Sequence, residues 1–209
     1  MRQALLIIMS MLAVSGACAG SYEDLLAAVK HGDTPAAEAL FAKGLDVNTT
    51  DAGGYTLLML AIQEDHLDLA QRLIELKAKL NERNEYGETA LMLAAGKGEL
   101  ALVRQLVEHG AKIDISGWDP LIYAAWRGRT EVVQYLLDKG ADIDATAPNG
   151  VTALMMAARE GHYDTVKLLL WNVADPNIKT DSGASALQWA RRAGNTEIAD
   201  LLLKAGAKE

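Results

Sequence analysis

The side chains that most often carry out catalysis or bind metal ions are few and scattered in this chain of 209 residues. The histidines are His31, His66, His109 and His162, and the only cysteine is Cys18. The sequence contains no H-E-x-x-H, no G-x-S-x-G, no glycine-rich phosphate loop and no cysteine cluster. Its acidic residues lack the clustered spacing of a calcium-binding loop. We therefore expect no catalytic residue, no metal site, no cofactor and no enzymatic activity.

The segment Thr152-Ala-Leu-Met-Met-Ala-Ala-Arg-Glu-Gly-His162 recurs along most of the chain. Related segments begin at Thr56, Thr89, Asp119 and Ser185, so the first residues are 33, 30, 33 and 33 positions apart. A fixed period of this length is typical of solenoid proteins, in which no unit buries its apolar face alone. The repeat therefore predicts a stack of similar units.

Each unit is predicted to contain two helices. The first begins after a threonine, serine or aspartate, whose side chain can accept a hydrogen bond from a free backbone N–H of the first turn. The second has paired apolar residues one turn apart, as in Val132-Val133 and Leu136-Leu137. This spacing gives the helix one buried stripe.

Glycine is expected after the second helix, where the backbone turns to positive φ. It is present at four of these places, namely Gly44, Gly110, Gly140 and Gly206. Lys77 and Val173 stand at the same place in other units. Because a β-branched residue is a rare outlier at positive φ, either Asn172 adopts the left-handed conformation instead of Val173, or this turn is strained.

The period, the leading motif and the end of each unit together resemble ankyrin repeats. The unit of that family opens T-P-L-H-x-A-A-x-x-G-H, continues V-V-x-x-L-L and ends G-A-D-x-N. Three endings correspond here: Glu108-His-Gly-Ala-Lys-Ile-Asp114, Asp138-Lys-Gly-Ala-Asp-Ile-Asp144 and Val173-Ala-Asp-Pro-Asn177. The resemblance covers residues 20–209 and implies an all-α solenoid of stacked helix-turn-helix units with hairpin or loop fingers. It implies about six repeats, at approximately 20–50, 51–83, 84–113, 114–146, 147–179 and 180–209.

Residues 1–19 differ in kind from the repeats. Arg2 precedes an apolar run from Ala4 to Val14, which is followed by Ala17-Cys18-Ala19. This pattern predicts a bacterial signal peptide that is cleaved after Ala19, so that the domain 20–209 is periplasmic or secreted. The alternative is a lipoprotein anchored at Cys18, although the leucine that usually begins the lipoprotein motif is missing. The apolar run is too short to cross a bilayer as a stable helix.

The formal net charge of −8 narrows the choice of partner. Binding to nucleic acid requires a basic face, so we expect no nucleic-acid partner. A solenoid of one layer rarely has a cavity of ligand size, so we expect no small-molecule substrate. We expect a monomer that binds a partner protein and that reaches a membrane only if Cys18 is lipidated.

The resemblance also implies where a partner would bind. In ankyrin-like proteins, the hairpin tips and the ends of the first helices line a concave face that binds partners. The protein-binding residues predicted from these positions are Tyr55, Glu85, Tyr86, Glu88, Trp118, Trp126, Arg127 and Arg159. We expect the three central aromatic residues, Tyr86, Trp118 and Trp126, to be exposed on one surface with the acidic residues on one side and the arginines on the other. Tryptophan, tyrosine and arginine are enriched in binding hot spots.

The tryptophans also have a structural interpretation. Trp118 lies in a hairpin that is three residues shorter than its neighbours, where it could cover exposed backbone. Trp126 could pack on Tyr123. Trp171 and Trp189 are expected to be packing residues.

Two functions are compatible with these features, and an enzyme is a remote third alternative. The first is an exported scaffold that binds a partner protein through the concave face, and so protects or regulates a periplasmic enzyme. The alternative is an immunity-type protein that neutralises a toxin or effector, for which the acidic tips favour a basic partner.

Overall fold

The computed structural model describes residues 20–208. The predicted signal peptide, its cleavage site and Cys18 lie outside the described residues. The chain divides into two compact units, the first ending at Lys79 and the second beginning at Leu80. In the part of the chain that the structure describes, no helix combines the length and the apolar character needed to cross a membrane.

The first unit contains two pairs of helices within its described residues. Helix α1 covers residues 20–30 and α2 covers Thr34–Ala42. Helix α3 covers Leu57–Gln63 and packs on α4, Leu67–Glu75. All apolar residues of α3 are buried.

The second unit continues the alternation of first and second helices. Its first helices are α5 (Ala90–Lys97), α7 (Pro120–Trp126), α9 (Ala153–Glu160) and α11 (Ala186–Ala193). Its second helices are α6 (Leu100–Glu108), α8 (Thr130–Asp138), α10 (Tyr163–Trp171) and α12 (Thr196–Lys204). The first helices pack side by side and form what we call the inner layer, and the second helices form the outer layer. Among residues 20–208, β-structure is confined to isolated antiparallel bridges, Thr50 with Thr56 and Lys179 with Ser185.

Small side chains allow the inner helices to lie close together. Ala94, Ala124, Ala125, Ala157 and Ala158 have no solvent exposure. The outer helices bury the predicted stripe, as Val132, Val133 and Leu136 do in α8. The core of the second unit therefore runs between its two layers.

The predicted N-caps are confirmed. The side chain of each capping residue accepts a hydrogen bond from the backbone N–H three residues later, at 3.2 Å for Thr56, 3.3 Å for Thr89, 2.8 Å for Asp119, 3.3 Å for Thr152 and 3.4 Å for Ser185. These bonds satisfy donors that have no partner inside the helix.

Polar side chains at the start of the outer helices connect neighbouring pairs of helices. The ring of His162 donates from Nε2 to the carbonyl of Trp126 at 3.0 Å, and Arg129 donates from Nε to the carbonyl of Gly96 at 3.1 Å. In the first unit, His66 donates in the same way to the carbonyl of Lys30 at 3.0 Å. These bonds join residues in different helix pairs.

Glycine adopts positive φ after the second helices at the four predicted places. The two residues that replace glycine in other units adopt the same left-handed conformation. Lys77 has φ of 65° and Val173 has φ of 69°, whereas Asn172 has φ of −85°. Asn172 therefore does not replace Val173 in the left-handed region, and the strained alternative is correct. Val173 is 82% exposed, so no packing of its side chain compensates for the strain.

Trp171 does not pack in the core. It ends α10 with 82% of its surface exposed, contrary to the sequence-based expectation.

Candidate functional site

The hairpin tip 84–88 is built on Asn84. The side-chain oxygen of Asn84 accepts hydrogen bonds from the backbone N–H groups of Tyr86 at 3.0 Å and Glu88 at 2.9 Å. Its amide nitrogen donates to Oε2 of Glu88 at 2.8 Å. Asn84 is itself buried, so the tip is fixed from below and Tyr86 is held outward, 69% exposed.

The phenol of Tyr86 interacts with the acidic residues of the same tip. A hydrogen bond to the Glu85 carboxylate raises the pKa of Tyr86 above its ordinary value, and the charges of Glu85 and Glu88 add to this effect. The phenol therefore stays neutral at physiological pH. The tip presents an apolar ring beside two negative charges.

Three aromatic residues form a connected group at the start and end of α7, which we call the aromatic cluster: Trp118, Tyr123 and Trp126. The ring centroids of Trp118 and Tyr123 lie 6.3 Å apart with an interplanar angle of 89°. Those of Tyr123 and Trp126 lie 6.1 Å apart at 80°. Both pairs are edge-to-face, the arrangement that the charge distribution of aromatic rings favours.

Tyr123 joins the aromatic cluster to the hairpin tip. Its hydroxyl donates to Oε1 of Glu88 at 2.9 Å, while the other oxygen of that carboxylate accepts from Asn84. Glu88 is therefore held at both oxygens. The tip and the cluster form one continuous surface within the second unit.

Arg127 and Gly96 border the cluster. The guanidinium of Arg127 lies 4.4 Å from the centre of the Trp126 ring, which is a cation–π contact. A Cβ atom on Gly96 would lie 3.5 Å from Cδ1 of Tyr123 and 3.8 Å from Cγ of Arg127. The missing side chain of Gly96 thus leaves this edge of Tyr123 uncovered.

The structure confirms part of the predicted arrangement. Tyr86, Glu85 and Arg127 are exposed, but Trp118 and Trp126 are half-buried. The expectation that both tryptophans are exposed is wrong, because each packs against Tyr123.

Arg159 interacts with residues of its own helix and of the next inner helix. It forms an ion pair with Glu160 at 2.7 Å and lies 5.2 Å from the centre of the Trp189 ring. Trp189 is half-buried beneath it. That Arg159 and Arg127 bind a partner together stays a prediction.

Tyr55 belongs to the first unit. It is half-buried at the tip of a loop, where its backbone N–H donates to Oδ1 of Asp51 at 3.0 Å. Whether it binds a partner stays a prediction.

Tyr123 is the functional candidate that the sequence analysis missed. It stands four positions after its capping residue, where the other units have Leu60, Leu93, Met156 and Trp189. Aligning the units at their caps would have drawn attention to a tyrosine among mainly aliphatic residues. Its role depends on contacts with Glu88, 35 positions away, which the pattern alone does not give.

A buried carboxylate lies directly after Trp118. Asp119 caps α7 and is 5% exposed. Burial raises the pKa of Asp119 to about 6, and the charges of Asp114 and Asp142 add to this, while hydrogen bonds from the backbone of Ile122 and Leu121 oppose it. Its Oδ1 accepts a hydrogen bond from the backbone N–H of Ile122 at 2.8 Å, so this carboxylate caps the helix.

The combined surface offers several kinds of contact within a short distance. We call Tyr86, Glu88, Trp118, Tyr123, Trp126 and Arg127 together the candidate surface. It contains apolar rings, a fixed carboxylate and an exposed guanidinium. In the described part of the chain, no group of three or more histidine, cysteine or acidic side chains could hold a metal ion. Such a mixture suits a protein partner.

A family model described as ankyrin repeats (3 copies) matches residues 24–84, 58–147 and 144–209. The chain belongs to the ankyrin-repeat family. Ankyrin-repeat domains are typically non-enzymatic modules that bind protein partners, and this chain has the fold of a protein–protein interaction scaffold. The division of this ankyrin-repeat protein into six units stays a prediction.

Solved ankyrin-repeat structures resemble this one closely. A crystal structure of an ankyrin repeat domain from Acinetobacter baumannii is 32% identical, with a TM-score of 0.76, and the alignment covers 88% of this chain and 98% of that one. The human ASB11 ankyrin repeat domain is 31% identical, with a TM-score of 0.79 and coverage of 88% and 84%. No curated protein matches the chain significantly.

Proposed function

We propose that this ankyrin-repeat protein binds one partner protein through the candidate surface. The observation that carries the proposal is the link between Glu88 and Tyr123, which joins the acidic hairpin tip to the aromatic cluster. A surface that is connected in this way is ordered before a partner arrives. Less conformational entropy is then lost on binding.

The aromatic cluster supplies most of the affinity in this proposal. Trp118 and Trp126 each keep part of their surface open to solvent while their other contacts hold them in place. Rigid, partly exposed tryptophans in such settings are typical hot-spot residues, and truncating one costs about 2 kcal/mol or more.

Charged residues at the two ends of the candidate surface orient the partner in this proposal. Glu85 and Glu88 lie at the tip, and Arg127 lies at the far end of α7 beside Trp126. A partner that carries basic residues opposite the tip and an acidic residue opposite Arg127 would be favoured over one with the reverse pattern.

Export of the protein to the periplasm is part of the proposal. It rests on Arg2, the apolar run Ala4 to Val14 and Ala17-Cys18-Ala19. N-terminal sequencing of protein from the cell envelope should begin at Gly20. A lipid-modified Cys18 would replace the periplasmic assignment with membrane anchorage, and an intact Met1 in the cytosol would refute export.

The partner defines the biological role. We propose that it is a periplasmic enzyme that the repeat protein protects or regulates. Exposure of Glu85 and the acidic tip also favours a basic toxin or effector, which would make this an immunity-type protein. Rescue of toxicity by co-expression with a neighbouring toxin gene would select the second role.

The test is capture of the partner from the native envelope by crosslinking, with identification by mass spectrometry. Trp126→Ala and Trp118→Ala are expected to weaken binding of the captured protein about thirtyfold each. Trp171→Ala is the matched control, because Trp171 is a highly exposed tryptophan that ends an outer helix.

The binding loss must be separated from loss of stability. If the Trp118 and Trp126 variants bind normally but melt several degrees lower than the unmodified protein, the tryptophans are packing residues and the proposal fails. If Trp171→Ala weakens binding equally, the partner uses the outer layer instead.

A further inference from the structure

A second feature of the inner layer lies between α9 and α11. An open cleft of about 350 Å³ is lined by Arg159, Trp189, Arg192 and Ala193. The cleft holds two arginines and a tryptophan in a protein whose net charge is −8. Its chemistry therefore differs from the average surface and from the acidic hairpin tip.

The first arginine of the cleft is held in place. Nε and Nη2 of Arg159 both contact Oε1 of Glu160, at 2.8 Å and 2.7 Å. The guanidinium also lies over the Trp189 ring at 5.2 Å. Stacking and pairing limit the motion of the Arg159 side chain and leave its remaining N–H groups for a ligand.

The second arginine is available. Arg192 follows Trp189 by three positions on α11, so both side chains lie on the same face of the helix. The Arg192 side chain is exposed, and among residues 20–208 no hydrogen bond or ion pair engages it.

A small residue keeps the cleft open. Ala193 stands eight positions after the capping residue Ser185, and the corresponding residues of the other units are Glu64, Lys97, Arg127 and Glu160. All four have long side chains that would reach across the end of the helix. Alanine at this place leaves the space between the two arginines unfilled.

We infer that this cleft binds the carboxylate of an aspartate or glutamate side chain in an acidic segment of the partner protein. The inference rests on the proposed function and names a second contact with the same partner. Arginine presents N–H groups in a fork that matches a carboxylate. The Trp189 ring supplies a flat apolar surface for a residue next to the acidic one.

Net charge favours a carboxylate over a phosphate. Arg159, Arg192 and Glu160 together carry one net positive charge at neutral pH. A carboxylate with one negative charge neutralises the site, whereas a phosphate group with nearly two would meet the Glu160 carboxylate without a matching cation.

The direct test is a titration of the ¹⁵N-labelled protein, followed by NMR, with the peptide acetyl-Gly-Leu-Glu-Leu-Gly-amide. The indole N–H signal of Trp189 and the Nε–H signal of Arg192 should move, and the same peptide with glutamine should leave them unchanged. Arg192→Gln should weaken binding about tenfold, as expected when a hydrogen-bonded charge partner is lost. Arg191→Gln is the matched control, because Arg191 is adjacent and does not line the cleft.

Ala193→Glu provides an independent variant. It places in the cleft the residue that the preceding unit has at this position, and it should abolish the peptide-induced shifts while the melting temperature stays the same. Three results would each overturn the inference. The first is equal shifts with the glutamine peptide, and the second is the absence of shifts up to about 10 mM of the glutamate peptide. The third is tighter binding of a phosphoserine peptide.

The outcome also separates this inference from the proposed function. If Trp126→Ala weakens binding of the captured partner and Arg192→Gln does not, the inference about the cleft is refuted and the proposal for the candidate surface is kept. Peptide binding in the cleft, with a partner that tolerates Trp118→Ala and Trp126→Ala, would refute the candidate surface instead.

Discussion

Replacing Asp119 by asparagine should stabilise the protein at neutral pH. The carboxylate is buried as the cap of α7, and its Oδ1 accepts from the backbone N–H of Ile122 at 2.8 Å. The other four confirmed caps are threonine or serine, which carry no charge. Asparagine keeps the hydrogen-bond acceptor and is as effective a helix N-cap as aspartate. It carries no charge.

The magnitude follows from the pKa of Asp119. Burial raises the pKa from 3.8 to about 6, and each unit corresponds to about 1.4 kcal/mol, so the ionised cap costs about 3 kcal/mol. The folded state binds the proton more tightly than the unfolded state. The free energy of unfolding therefore falls as the pH rises from about 4 to about 6 and stays lower above that range.

The assay is urea unfolding followed by circular dichroism from pH 4 to pH 8. Asp119→Asn should raise the free energy of unfolding by up to about 3 kcal/mol at pH 7.5 and by little near pH 4. Thr152→Asn is the control, since it replaces a neutral cap at the same place in the next unit. Its effect should not depend on pH. A gain from Asp119→Asn that is equal at both pH values, or a loss at pH 7.5, would refute the reasoning.

Substitutions at three further positions test other parts of the structure. Val173→Gly should raise the free energy of unfolding by about 1 kcal/mol, because it relieves a β-branched residue at positive φ whose side chain is exposed. Lys77→Gly should do the same to a smaller extent, since lysine is not β-branched, and a lower melting temperature for either variant would contradict the strain. Gly96→Gln should weaken partner binding at least tenfold, because glutamine, which stands at the corresponding place as Gln63, would cover Tyr123. Gly96→Ala should leave binding nearly unchanged, since its Cβ makes only ordinary contacts, and equal binding by both variants would show that the partner does not approach this edge.

Local hydrogen bonding made much of the fold predictable. The residues at the five caps and at the helix-ending turns act on backbone groups a few positions away, so the sequence shows them directly. Even the strained Val173 follows from this logic, because its neighbours require a left-handed residue at that place. The 33-residue period then orders the helices, since each unit must cover the next.

Contacts between neighbouring repeats made the candidate surface harder to predict. The period places Trp118, Tyr123 and Trp126 on one side of the stack, but it does not give the side-chain angles that bring their edges together. The period also does not give the pairing of Arg159 with Glu160 or its position over the Trp189 ring. Such choices depend on which neighbour offers the better partner, and the periodic pattern does not contain that information.

The bond from His162 to the carbonyl of Trp126 connects recognition to local unfolding. His162 directly precedes α10, so any opening of α9 and α10 releases the end of α7, where Trp126 lies. By thermodynamic linkage, a ligand that needs Trp126 in place must disfavour that opening. Amide hydrogens of α10 would then exchange more slowly in the complex, although the partner touches only the inner layer. Binding at the inner layer would therefore be detectable as slower amide hydrogen exchange in the outer layer.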